Sequence, residues 1–267
     1  MRTRNYSYYV CDFETTVYKG QQFTEVWAAA IVELYTEQVE IMHSLADFLD
    51  YVKGLKKNVI GYFHNLKFDG NFIVDYLLRN GYRWNRVAEG QMANKDFKCA
   101  ISDRGVWYSI TIKMGSNIIE FRDSLKLLPF SVKRIGKSFK TAHKKLDMEY
   151  EGFRYAGCVI TDEERQYIAN DVLVVKEALE IMFERGHTKL TIGSCCLEEF
   201  KTTYDKEDYK SFFPDLTQVE IDPELYGEKT ADAYIRHSYR GGYCYLAKRK
   251  ENKVFINGWT ADINLSL

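Results

Sequence analysis

The chain of 267 residues has few prolines (3), few histidines (5), and no C-x-x-C pair among its 6 cysteines. Scarce proline together with 46% hydrophobic and 15% aromatic residues excludes a disordered, low-complexity chain. The cysteine spacing carries no zinc-ligand rhythm and no redox pair, so the six are read as reduced cytosolic thiols. The longest apolar run, residues 26–32, is far too short to cross a bilayer, and residues 1–6 lack the apolar core of a cleavable leader. No membrane partner is expected. A net charge of −1 argues against a generic polyanion binder, but the charge is unevenly spread. Residues 131–146 hold six bases (Lys133, Arg134, Lys137, Lys140, Lys144, Lys145) and no acid, and residues 236–253 include Arg240, Lys248, Arg249 and Lys250. Two basic stretches flanking a group of acids favour a track for phosphates.

Strand-like and helix-like patterns alternate through the first two thirds. Strands are expected at 6–13, 24–35, 38–43 and 59–63, with Thr36-Glu37 as a hairpin link. Ser44 caps a helix over 45–55, and a second helix presents Phe72, Tyr76 and Leu77 on one face before Asn80-Gly81. Residues 98–121 have the pattern of a β-meander. Thr161 and Glu164 form a capping box for a long helix whose apolar stripe is Ile168, Val172, Val175, Leu179 and Met182, ending at Gly186. The pattern weakens beyond 190: 194–204 reads as helix and 205–230 as polar chain with few core signals. The expected fold class is α/β, a mixed sheet flanked by helices, with residues 1–190 as one domain and 191–267 as a linker and the start of another.

Four acids stand out within this frame. Asp12 and Glu14 are two apart on the first strand, so a side-chain period of two points them the same way. Asp69 opens the helix after the fourth strand, where the helix dipole favours an acid. Asp171 lies one turn after Tyr167 on the long helix, which puts both on one face. Carboxylates converging from separate elements repel unless hard cations with oxygen ligands, Mg²⁺ or Mn²⁺, sit between them. Two such cations are the equipment for in-line attack on a phosphodiester, and Tyr167 is placed to orient the water.

Asp12-Phe13-Glu14-Thr15-Thr16, Phe63-His64-Asn65-Leu66-Lys67-Phe68-Asp69-Gly70 and Tyr167-x-x-x-Asp171 resemble the three proofreading-exonuclease motifs of family B DNA polymerases. More narrowly, they are similar to the protein-primed members of small bacteriophages and linear plasmids. The resemblance runs over about residues 6–245. It implies a ribonuclease-H-like, DnaQ-like three-layer fold and a 3′→5′ exodeoxyribonuclease. Asp12, Glu14, Asp69 and Asp171 would hold two divalent cations, and Lys145 would contact the scissile phosphate. Thr15, Tyr62, His64, Asn65, Phe68, Ser124 and Leu125 match positions that hold the single-stranded 3′ end. Tyr239-Arg240-Gly241-Gly242 resembles the Tyr-x-Gly-Gly element that contacts template between the exonuclease and polymerase domains. The implied partners are a single-stranded DNA 3′ end, a terminal priming protein and a separate polymerase portion. The implied setting is the cytoplasm of a bacterial host, with the gene carried by a phage or mobile element.

The resemblance ends near Asp262 and Asn264, which fit the start of the first polymerase motif while Leu265-Ser266-Leu267 does not. The expectation is a chain that cannot polymerise DNA by itself and whose last 27 residues, 241–267, pack poorly. The competing expectation is a non-catalytic remnant that binds DNA or the terminal protein. A ribonuclease with the same four-acid chemistry is a third.

Overall fold

The structure, a computed structural model, describes residues 5–148 and 153–238. The Tyr-x-Gly-Gly element, the second basic stretch from 239 onward, Asp262 and the expectation for 241–267 lie outside the described residues. The chain divides into two compact units, Met1–Thr202 and Thr203–Leu267.

In the first unit eight strands form one mixed sheet in the order β3-β2-β1-β4-β8-β7-β6-β5. They are β1 (Tyr6–Thr15), β2 (Val26–Glu33), β3 (Val39–Met42), β4 (Asn58–Phe63), β5 (Arg83–Trp84), β6 (Asp96–Ile101), β7 (Trp107–Met114) and β8 (Asn117–Asp123). β1 runs parallel to β4, and β4 parallel to β8, while β2 and β3 close antiparallel against β1. The expected hairpin and meander are both present, and β1 runs two residues past its expected end. The two-residue β5 carries no period-two signal and was not legible.

Helices cover both faces. α1 (Leu45–Gly54) and α2 (Leu66–Arg79) pack on one side, against Tyr9, Cys11 and Phe13 of β1. On the other side α4 (Asp162–Glu184) packs Ile168, Val172, Val175 and Leu179 against Val10, Ala28, Ala30 and Ile60. These alternate β1 residues send odd positions to one layer and even positions to the other, as a strand's pleat requires. The capping box of α4 is formed on both sides, with the Thr161 side chain accepting from Glu164 N–H and Glu164 accepting from Thr161 N–H. α3 (Val132–Ser138) folds within the first basic stretch, and α5 (Ile192–Thr202) closes the unit with Cys195 buried in the α4-side core.

In the second unit the polar stretch after 205 holds three short helices: α6 (Lys206–Phe212), α7 (Pro223–Tyr226) and α8 (Ala231–Arg236). None buries a residue, so none leaves an amphipathic signature, and each is marked instead by a capping Asp205, Asp222 or Thr230. The five described cysteines are free thiols. No described helix is long and apolar enough to cross a membrane.

Candidate metal centre and nuclease site

β1 outruns its parallel neighbour. Its last partner on β4 is Phe63, opposite Cys11, so Asp12 and Glu14 project beyond the β4 end while still pairing with Ala30 and Ala28 of β2. Both acids occupy even positions and face the α4 layer. Asp171 comes to meet them from the middle of that helix, and one ligand oxygen from each of Asp12, Glu14 and Asp171 lies within 4.8 Å of the others. Asp69 arrives from the opposite layer, in the first turn of α2, and is buried at 3% exposure. It is not in the 4.8 Å group, yet its charge bears on Asp12, and that of Glu14 bears on it.

Burial drives Asp12 well above the ordinary carboxylate range; the charges of Asp69, Glu14 and Asp171 add to the rise and Lys145 opposes it. Burial likewise pushes Asp69 up to about 8, although backbone N–H groups of Asp69 itself and Phe13 pull it down. Oδ1 of Asp69 and Oδ1 of Asp171 are buried without a hydrogen-bond partner among the described residues. Buried carboxylate oxygens without partners are expensive. An all-oxygen donor set of this kind fits hard divalent cations, so the residues suit Mg²⁺ or Mn²⁺.

Lys145 closes the site from the α4 side. Its ammonium forms a short ion pair with Asp171 Oδ2 and donates to the Tyr167 hydroxyl at 3.2 Å. Burial alone would lower Lys145, but the hydrogen bond and charge of Asp171 outweigh it, and the ammonium holds its proton more firmly than an ordinary lysine. Burial and the Asp171 charge raise Tyr167, so it remains a neutral phenol across the physiological range. Lys145 is itself held by a loop pinned to α4. Glu177 accepts from Ala142 N–H at 2.5 Å, from His143 N–H at 3.3 Å and from His143 Nδ1 at 2.5 Å.

α2 begins at Asn65, in the left-handed region at φ 77°, a conformation asparagine tolerates. Its own side chain does not cap the helix. Instead Asp123 Oδ1, at the end of β8, accepts from Asn65, Leu66 and Leu125 N–H at 3.0–3.3 Å, and Lys126 pairs with the other oxygen at 3.1 Å. Gly70 then lets α2 lie close on β7: a Cβ there would meet the Trp107 ring at 2.9 Å and Ile110 at 3.1 Å. Gly70, Asp123 and Glu177 carry no signal of these roles in the sequence. An acid at a strand's end carries no pattern that distinguishes a cap from a solvated side chain.

The residues expected to hold a DNA end divide into two groups. Asn65 and Phe68 are exposed, Thr15 and Leu125 are partly exposed, and the Phe68 ring lies edge-on to Phe72 at 5.5 Å. Tyr62 and Ser124 form the second group: both are fully buried. Tyr62 sits inward on β4 with its ring 6.0 Å from Phe183. Ser124 donates to Phe63 O at 3.1 Å and lies 3.0 Å from His64 Nδ1. His64, half-buried, also bonds Phe130 O through Nε2 at 2.7 Å, so both ring nitrogens are engaged inside the protein.

Residues 53–158 and 154–265 match the family described as DNA polymerase type B, organellar and viral. The chain belongs to that family. Among curated relatives, the DNA polymerase of Bacillus phage phi29 is 37% identical over 262 residues, which is 96% of this chain and 42% of that enzyme. The DNA polymerase of Streptococcus phage Cp-1 is 32% identical over 229 residues, 79% of this chain and 37% of that enzyme. The solved structure of phi29 DNA polymerase complexed with primer-template DNA superposes with a TM-score of 0.75 at 35% identity, covering 92% of this chain and 41% of that one. Its complex with single-stranded DNA gives 0.74 at 36% identity. This chain therefore spans about 42% of the length of the first relatives it matches, and the matched part is the N-terminal exonuclease region of a protein-primed, type B enzyme. The mixed sheet flanked by helices agrees with the ribonuclease-H-like fold.

Proposed function

We propose that the chain is the 3′→5′ exodeoxyribonuclease module of a protein-primed type B DNA polymerase, acting on the 3′ end of single-stranded DNA with two divalent cations. The observation that carries this reading is the convergence of Asp12, Glu14 and Asp171 within 4.8 Å, with Asp69 buried and its Oδ1 without a hydrogen-bond partner among the described residues. Domain roles follow the notion of a nuclease body up to about residue 190, with 191–267 leading toward a polymerase portion. The setting would be the cytoplasm of a bacterial host.

Asp12, Glu14, Asp69 and Asp171 would hold the cations, which when bound supply an activated water and offset charge on the phosphate. The chain's own groups do the rest. Tyr167, a neutral phenol whose oxygen accepts from Lys145, orients the attacking water. The water oxygen forms a bond to phosphorus and gives up its proton to solvent, while the bond from phosphorus to the 3′ oxygen breaks and that oxygen takes a proton from solvent. Lys145 turns its ammonium from Asp171 toward the phosphate oxygens as negative charge builds there. Phe68, Asn65, Thr15 and Leu125 line the surface where the unpaired end would lie, by ring stacking and amide hydrogen bonds.

The test is digestion of a 5′-labelled single-stranded oligonucleotide with Mg²⁺ or Mn²⁺. The wild type should produce a ladder shortened one nucleotide at a time from the 3′ end, and Asp12→Ala/Asp69→Ala should not. Equal, slow degradation by both would overturn the reading. Salt-sensitive DNA binding without cleavage would assign the chain to the remnant class, and an RNA oligonucleotide of the same sequence would separate a ribonuclease.

A further inference from the structure

Lys145 is the last of six bases between 131 and 146, and the reaction uses only that one. The other five lie on α3 and the loop that follows it. At 100° per residue, Lys133, Arg134 and Lys137 fall within a 100° arc of α3, opposite the buried Ile135 and Gly136. The inner side rests on α4: a Cβ at Gly136 would stand 3.5 Å from Val174. The outer side bears a shallow, open groove lined by the exposed Ser131, Lys133, Arg134, Lys137 and Ser138.

Few of these charges are spent within the protein. Among the described residues no carboxylate pairs with Arg134, Lys137 or Lys140. Asp147 reaches Lys133 at 3.6 Å, with both side chains mostly in solvent, a pair that water and salt largely screen. Lys144 differs: its ammonium donates to Gly136 O and Thr141 O and so fastens the end of α3. Arg134 lies over the Phe130 ring at 4.6 Å, which fixes its guanidinium without neutralising it. The segment from α3 to Lys145 is short and is pinned to α4 through Glu177, so the outer face of α3 and the ammonium at the acids are held on one rigid support.

We infer that the outer face of α3 carries the sugar-phosphate backbone of the single-stranded DNA whose end reaches Lys145. The inference rests on the nuclease reading above and adds a place where the strand is gripped away from the reacting bond. The groove is lined by cations and hydroxyls, so it would grip phosphates irrespective of base sequence. A strand of a few nucleotides would occupy the metal centre without reaching α3.

Binding of labelled oligonucleotides to the full chain, with Ca²⁺ in place of Mg²⁺, measures this over a range of KCl. The variant is Lys133→Gln/Arg134→Gln/Lys137→Gln, none of them near the reacting atoms. For an oligonucleotide of about 20 nucleotides its slope of log affinity against log salt should be shallower by about 2, from three lost phosphate contacts at roughly 0.7 each. Affinity at low salt should fall roughly 10-fold or more, while hydrolysis of an oligonucleotide of about 4 nucleotides stays at the wild-type rate. Lys133→Arg/Lys137→Arg should keep the long-strand affinity, which separates lost charge from a damaged helix. An unchanged slope, or equal losses on long and short strands, would overturn the inference. If the wild type cleaves nothing while the triple variant still loses salt-dependent binding, the nuclease reading fails and the track stands; if the wild type cleaves and the slope is unmoved, the track fails alone.

Discussion

Asp69 is buried beside other acids, and its behaviour with pH can be stated with its sign. Its pKa is raised from an ordinary 3.8 to about 8 in the folded chain, so the folded state binds its proton more tightly than the unfolded state does. The resulting stability is fully present below about pH 4 and is lost as pH rises through about 8. In the presence of a chelator, denaturant midpoints attributable to this group should fall between pH 5 and pH 9, and Asp69→Asn should flatten that fall and gain roughly 1–3 kcal/mol at pH 9. A midpoint that rises with pH in the wild type but not in the variant would contradict the assignment. Tyr167→Phe removes the hydroxyl that accepts from Lys145 and would orient water, and turnover should drop about 10- to 100-fold with little change in DNA affinity. Single-turnover kinetics with a short substrate measures this directly.

Asp12 and Glu14 stand out in the sequence because two carboxylates on one face of an apolar strand break a local rule; Asp69 and Asp171 break none and stand out only through the motifs around them. The burial of Tyr62 and Ser124 is not legible in the sequence. Sequence shows which residue types occur near a site, while the pleat of β4 and the turn after β8 decide which of them turn inward.

At the scale of elements, α2 matters most because its start fixes Asp69. That start depends on Asp123, a side chain from another part of the sheet that serves three backbone N–H groups. Asp123→Ala should cost about 2–4 kcal/mol, more than a local cap would, since it leaves three backbone donors unmet, the Leu66 N–H among them buried. Thermal unfolding checks the cost. Gly70→Ala should lower nuclease activity more than stability, because the new Cβ pushes α2 from Trp107 and carries Asp69 with it. Comparable losses of both would count against this account. Elements with strong periodicity or explicit caps, such as α1 and α4, were readable from sequence. α3, β5 and the three short helices after 205 were not, because their stability comes from tertiary packing or from single capping side chains.

For the whole molecule, a ligand that binds the folded chain alone raises its stability with concentration. Mg²⁺ or Mn²⁺ at about 100 times its dissociation constant should add roughly 2.7 kcal/mol, seen as a rise in the denaturant midpoint. Asp12→Ala/Asp171→Asn should abolish that rise. An equal rise in wild type and variant would place the cation elsewhere.

The acids come from both layers that sandwich the sheet: Asp12 and Glu14 look toward α4, and Asp69 crosses over from α2. A chain in which only one layer has docked can have a formed sheet and still lack the site. On the proposed reading, affinity for the cation would report the completion of folding, and hydrolytic capacity would be the last property the chain acquires on its way to the native state.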